Sequence, residues 1–164
     1  MIQTVKAVLN EEADVLNQRD HLPPADEHMG EYHPLEILVA EDNAINQKII
    51  LSVLSRFGYS PKLVENGQMA LDSVLQKTYD LILMDIQMPV LNGIDATQQI
   101  RARVPDSAQP RIIALTADAL QKSHEEYKQK GMDDVLYKPV QTKDLLRVLS
   151  ETNTRRKTTE PEVF

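Results

Sequence analysis

Five short apolar runs alternating with segments of helical period, with turn residues at the junctions, predict an α/β fold. The runs are Ile37-Ala40, Leu63-Val64, Leu81-Met84, Ile112-Leu115 and Val135-Tyr137. They are apolar on successive residues, which suits a parallel sheet buried on both faces. Crossover connections force parallel pairing and put helices on both sides. The expectation is a doubly wound five-stranded parallel sheet, order 2-1-3-4-5, with five helices.

Each element carries its own signal, from the N-terminus onward. Ile2, Val5, Leu9 and Leu16 fall near helical spacing, with Glu12 interrupting. Residues 2 to about 19 therefore read as an amphipathic helix, marginal by itself. Pro23, Pro24, Gly30 and Pro34 then mark a Pro-rich linker. The first strand ends in Glu41-Asp42, and Ile45, Ile49, Val53 and Phe57 form the next helical stripe, closed by Gly58. The second strand stops at Asn66-Gly67, after which Met69, Leu71, Val74 and Leu75 form another stripe. The third ends in Asp85, with a turn marked by Asn92-Gly93 after it. The fourth ends in Thr116; the fifth comes after Gly131 and ends in Lys138-Pro139. Thr142 reads as the N-cap of a last helix carrying Leu145, Leu146, Val148 and Leu149. The chain divides into 1–34, an acidic helix and linker; 35–151, the α/β domain; and 152–164, a tail that reads as disordered.

Composition limits the function classes. The 164 residues hold 25 acids against 18 bases, for a net charge of -7. Residues 1–34 carry seven acids and two bases. Such a chain repels nucleic acid and anionic membrane, and Arg155-Arg156-Lys157 is too short to reverse that. No apolar run exceeds four residues, far below the roughly 20 that span a bilayer, so no membrane insertion is expected. Residues 1–34 also lack the apolar stretch of a signal peptide. With zero cysteines, disulfides, thiol nucleophiles and cysteine-bound metals are excluded, which fits a cytoplasmic location.

The chemistry lies in the residues just past each apolar run. In open α/β sheets the ligand site is outside the carboxyl ends of the strands, where the strand order switches. Strands one and three are then neighbours, so Asp42 and Asp85 meet, with Glu41, Thr116 and Lys138 completing the ring. Carboxylates about 4 Å apart repel by roughly 4 kcal/mol per pair at a surface-like dielectric. A proton or a cation must offset that repulsion. All-oxygen ligands with room for water fit Mg2+, or Mn2+, rather than zinc. An ammonium beside a divalent cation and a carboxylate suits a phosphoryl group passing to that carboxylate.

These residues resemble the receiver domains of two-component response regulators. The resemblance runs from Leu35 to about Glu151, in the stretches ILVAEDNAINQKI, DLILMDIQMPVLNG, IIALTADAL and DDVLYKP. It is similar in texture to the receivers of hybrid histidine kinases. It implies a flavodoxin-like sheet in which Asp85 accepts phosphate from a phosphohistidine, with Thr116 bonding the phosphoryl group and Lys138 pairing with it. It further implies Mg2+ held by Asp42, Asp85 and the backbone carbonyl of Gln87, with Glu41 acting through a water. The Lys138-Pro139 bond is expected to be cis. The implied donor is a histidine kinase or a histidine phosphotransfer protein, the reader downstream being unspecified. The domain would catalyse only its own phosphorylation and dephosphorylation, not multiple turnover.

Some positions depart from that pattern. The family's usual aromatic three residues before the lysine is Val135 here, and the aromatic is Tyr137, which suggests a shallower switch. Asp118 brings a further acid near the pocket mouth. The main rival is a phosphatase similar to the haloacid dehalogenases, which also uses Asp, Thr or Ser, Lys and Mg2+. That class needs an acid two residues past the nucleophile, where this chain has Gln87. Met84 and Met88 read as packing residues, Thr116 as a candidate cap for a helix beginning near Ala119. His21, His28 and His33 read as solvated and are assigned no metal; His124 reads as exposed.

Overall fold

The computed structural model describes residues 27–118 and 124–152. The helix expected at 2–19, His21, the helix start near Ala119 and the tail from 153 lie outside them. A four-residue helix α1 (Met29–Tyr32) precedes strand β1 (Ile37–Ala40). Then come α2 (Ala44–Arg56), β2 (Lys62–Val64), α3 (Gly67–Gln76), β3 (Leu81–Asp85) and α4 (Gly93–Arg103). A 3-10 turn at Asp106–Ala108 leads into β4 (Arg111–Thr116), α5 (His124–Gln129), β5 (Asp134–Tyr137) and α6 (Thr142–Glu151). The strands form one parallel sheet in the order β2-β1-β3-β4-β5.

Successive strand residues feed two separate cores, which is why the runs are apolar throughout. Leu38, Ala40, Ile82, Met84, Ile112 and Ala114 pack with Ala70, Leu71, Val74, Ala96 and Ile100 of α3 and α4. Val39, Leu81, Leu83, Ile113 and Leu115 pack with Ile50, Leu54 and Phe57 of α2 and its end, and with Leu145, Leu146, Val148 and Leu149 of α6. Met84 and Met88 are both buried in the first core.

Two helical stripes are rotated from their expected phase. On α2 the buried face is Ile50, Leu54 and Phe57, whereas Ile45 is 70% exposed and Ile49 37%. The helix carries apolar residues around more than half its circumference, so period alone could not choose which arc meets the sheet. On α3 the buried apolar side chains are Ala70, Leu71 and Val74, and Met69 and Leu75 face outward. Asn43, Asn66 and Asn92 cap α2, α3 and α4 through their side chains. For α6 the cap position is Gln141, with no side-chain capping bond, and Thr142 is the first helical residue.

The stretch read as linker is partly built into the domain. Met29 is buried in the second core. Gly30 N donates to Phe57 O at 2.8 Å, and Tyr59 OH donates to His33 O at 2.6 Å. His33 is half-buried, not solvated: its Nε2 lies 3.0 Å from Leu149 O and 2.8 Å from Thr152 O, at the C-terminal end of α6. An imidazole N–H is well placed there, because the last carbonyls of a helix lack intrahelical donors. His28 is exposed and faces Glu31.

Thr97 is fully buried on α4, and its Oγ1 has no hydrogen-bond partner among the described residues. An unmet buried hydroxyl costs about 1–3 kcal/mol, and valine has nearly the same shape. Thr97→Val is therefore expected to raise the stability of the domain by about 1 kcal/mol, read as a higher urea midpoint at unchanged slope. A lower midpoint would show that the hydroxyl has a partner.

Candidate functional site

Strand register assembles the site. Ala40 pairs with Met84, so Glu41 follows β1 beside Asp85, the last residue of β3. Thr116 ends β4 opposite Tyr137, which places Lys138 next to it, and Lys138 N donates to Thr116 O at 2.8 Å. The Lys138-Pro139 peptide is cis. Asp42 begins the β1–α2 connection and is exposed. Carboxylate oxygens of Glu41, Asp42 and Asp85 lie within 4.8 Å of one another. Lys138 Nζ is 2.9 Å from both Glu41 Oε2 and Asp85 Oδ1. Glu41, Asp42, Asp85, Thr116 and Lys138 together line a cavity of about 560 Å³ with Asn46, Gln87 and Asp118.

The sequence-derived set therefore converges. Glu41 is fully buried, Asp85 and Thr116 nearly so, and Gln87 is exposed. Gln87 N donates to Asp85 Oδ1 at 3.3 Å. Thr116 Oγ1 accepts from Asp118 N at 3.2 Å. His124 stands apart from the cavity, half-exposed, with Nε2 3.1 Å from Asp134 Oδ1. Burial would raise the Asp134 pKa, but the Val135 amide and the Arg147 guanidinium outweigh it and hold the carboxyl below its ordinary value.

Residues the sequence did not single out support the rim. Gln47 Nε2 donates to Glu41 O at 2.7 Å, and Asn43 N donates to Glu41 Oε1 at 3.0 Å. Asn43 is readable from sequence as a helix cap. The reach of Gln47 across a helical turn to a strand end is not.

Electrostatics makes this rim the costly part of the fold. Burial, and after it the nearby Glu41 charge, push the Asp85 carboxyl up to about 6 against the opposing pull of the Lys138 ammonium. Burial would lower the Lys138 pKa, but its bond to Asp85 and the charges of Asp85 and Glu41 raise it overall. Glu41 Oε2 is fully buried, with the Lys138 ammonium 2.9 Å away. Three carboxylates gathered about that ammonium leave negative charge unbalanced, which fits a hard divalent cation such as Mg2+. The donors are all oxygen, which argues against zinc.

Fold and site together define a doubly wound α/β domain with an acid cluster at the strand-order switch. The chain belongs to the response regulator receiver domain family, whose model matches residues 37–150. It is similar to hybrid signal transduction histidine kinase I of Dictyostelium discoideum, 39% identical over 123 residues, covering 71% of this chain and 7% of that protein. It is also 37% identical over 117 residues to the aerobic respiration control sensor protein ArcB of Escherichia coli K12, covering 71% of this chain and 15% of ArcB. The chain thus spans a small part of the curated relatives it matches.

Among solved structures it resembles the receiver domain of a sensor histidine kinase from Pseudomonas aeruginosa PAO1. That match has 45% identity and a TM-score of 0.64, covering 71% of this chain and 94% of the other. A magnesium ion is coordinated in the active-site cleft of that protein. A second match is to a co-crystal of the Saccharomyces cerevisiae phosphotransfer protein Ypd1 with the receiver domain of its response regulator Ssk1. There the identity is 36% and the TM-score 0.65, covering 71% of this chain and 87% of the other.

The raised Asp85 pKa has a signed consequence. In the folded protein Asp85 releases its proton near pH 6 rather than at the ordinary 3.8, so ionising it costs stability. That cost is absent below about pH 4 and complete above about pH 6. Asp85→Asn is expected to stabilise the metal-free protein by about 2 kcal/mol at pH 7.5 and by little at pH 4. Urea midpoints of both proteins in EDTA measure this, and added Mg2+ should narrow the gap at pH 7.5.

Proposed function

We propose that this receiver domain takes a phosphoryl group on Asp85 from a phosphohistidine donor and so switches a partner-binding surface. The observation that carries this reading is the meeting of Asp85 with Glu41, Asp42 and Lys138 at one strand edge. A carboxylate oxygen of Asp85 attacks phosphorus as the P–N bond to the donor imidazole breaks, leaving an acyl phosphate. Lys138 pairs with the phosphoryl oxygens, and Thr116 donates its hydroxyl to one of them. Asp42, Asp85 and the Gln87 backbone carbonyl would hold Mg2+ (or Mn2+), with Glu41 joined through water. When bound, the ion offsets the charge of the carboxylates and of the phosphoryl oxygens.

The acyl phosphate carries about -2 charge. Drawing Thr116 toward it would bias β4, β5, α5 and α6, the surface a partner reads. Val135, buried beneath that surface, replaces the aromatic residue usual in the family and fits a shallow switch. Domain limits of 35–151 apply to the receiver proper, with residues 27–34 docked on it. The setting is the cytoplasm; no helix among the described residues is long and apolar enough to cross a membrane.

The donor is a histidine kinase or a histidine phosphotransfer protein, in keeping with the Ypd1 complex of the similar Ssk1 receiver. Ile45 and Ile49 stand exposed on α2. Ile49 also lines a small recess with Lys138 and Val140, next to the acid cavity. An apolar face beside the phosphoacceptor suits the docking of such a donor.

Incubation with a small phospho-donor and Mg2+ is expected to add at most one acid-labile phosphoryl group per chain, read by intact mass. Asp85→Asn should abolish it. Retained labelling would place the acceptor elsewhere, and steady turnover of a phosphate ester would favour a phosphatase. Ile45→Asp should slow transfer from a phosphotransfer protein about tenfold, an apolar contact's worth, while leaving labelling by the small donor unchanged.

A further inference from the structure

The loop joining β3 to α4 is held in a conformation its own residues disfavour. Val90 has φ +69° and is 82% exposed, so packing does little to reward it. Leu91 N donates to Pro89 O at 2.9 Å across it, an i to i+2 bond that makes Val90 the centre of a rare γ-turn. A β-branched residue in that region is a genuine outlier, and such strain persists only where the surroundings impose it.

The surroundings here are specific. Gly93 N donates to Ile86 O at 3.0 Å, closing the loop on itself. Gly67 N, at the start of α3, donates to Leu91 O at 2.9 Å. That approach requires glycine, because a Cβ at position 67 would overlap the Leu91 carbonyl. The same loop carries Gln87, which lines the acid cavity with Asp42 and bonds Asp85 through its amide.

We propose that Gly67 is a positioning residue for the metal site: its contact with Leu91 holds the Ile86–Gly93 loop in the strained form that presents Gln87 to the acid cluster. This rests on Gln87 being a Mg2+ ligand, as proposed for the phosphoacceptor site. Two effects then oppose each other. The Gly67–Leu91 contact favours the clamped loop, and the strain at Val90 disfavours it. Gly67→Ala releases the clamp; Val90→Gly removes the strain, since glycine accepts positive φ freely.

The test is Mg2+ titration of the metal-free protein, followed by amide shifts of residues 41–43 and 85–88 well below the melting temperature. Gly67→Ala is expected to weaken Mg2+ binding about tenfold, and adding Val90→Gly should recover about threefold of that. Val90→Gly alone should bind Mg2+ no more weakly than wild type and melt no lower. A merely structural Gly67 would change the melting temperature and leave the affinity of the folded protein alone. That result overturns the proposal, as does a double variant with no recovery.

Should Gly67→Ala fail to fold alone, the comparison is made within the Val90→Gly background. There Gly67→Ala should still weaken binding about threefold, and equal affinity overturns the proposal. Wild-type protein whose shifts at 42 and 85 ignore Mg2+ would overturn the metal reading as well. Saturable wild-type binding that Gly67→Ala leaves unchanged overturns this inference alone.

Discussion

Like charge crowded at the edge of an apolar sheet is the condition around which the rest of this domain is arranged. Glu41 and Asp85 are buried within reach of each other and of Asp42, and one ammonium, Lys138, stands 2.9 Å from the first two. Carboxylates so placed repel by several kcal/mol at a surface-like dielectric. They stay together because each is fixed to a strand end whose neighbours are locked in the two cores. The rim is therefore under electrostatic load that a cation or a proton relieves, and the Asp85 carboxyl is shifted upward by burial first and by the Glu41 charge second.

Register gives the arrangement its accuracy. In a parallel sheet with both faces buried, slipping one strand by a single residue would exchange its two sets of side chains between the cores. Leu81 and Leu83 face one core, Ile82 and Met84 the other. Those contacts hold Asp85 in line with Glu41 and set Thr116 opposite Tyr137. Residues that never touch the cavity thus determine where its oxygens and its ammonium sit. Gln47 and Asn43 add local bonds to the Glu41 backbone and side chain.

The outer surface departs most from simple stability. Ile45 and Ile49 leave apolar area in water close to the acid cavity, as expected where a partner completes the burial. Ahead of β1, Gly30 of α1 ties the chain to Phe57 at the end of α2, and His33 ties it to the end of α6. The part of the expected linker from residue 27 onward thereby becomes part of the fold. Its composition resembles a linker because the contacts that order it are long-range.

Local pattern was enough for the strand runs, the turns at Asn66-Gly67 and Asn92-Gly93 and the five residues at the strand ends. Each depends on what lies within a few positions: continuous apolarity marks a buried strand, and a polar residue just past it marks the rim. Which arc of α2 turned inward was not decided locally, since Ile45 and Ile50 are equally apolar and only the shape of the sheet separates them. The same holds for His33, whose carbonyl partners lie 116 and 119 positions away. It holds also for the grip of Gly67 on Leu91, visible only when two loops meet. The amino-acid order by itself determined the class of fold and the chemistry at its edge; tertiary packing alone decided the faces, the docked N-terminal segment and the strained turn, because those are settled by contacts between segments remote in sequence.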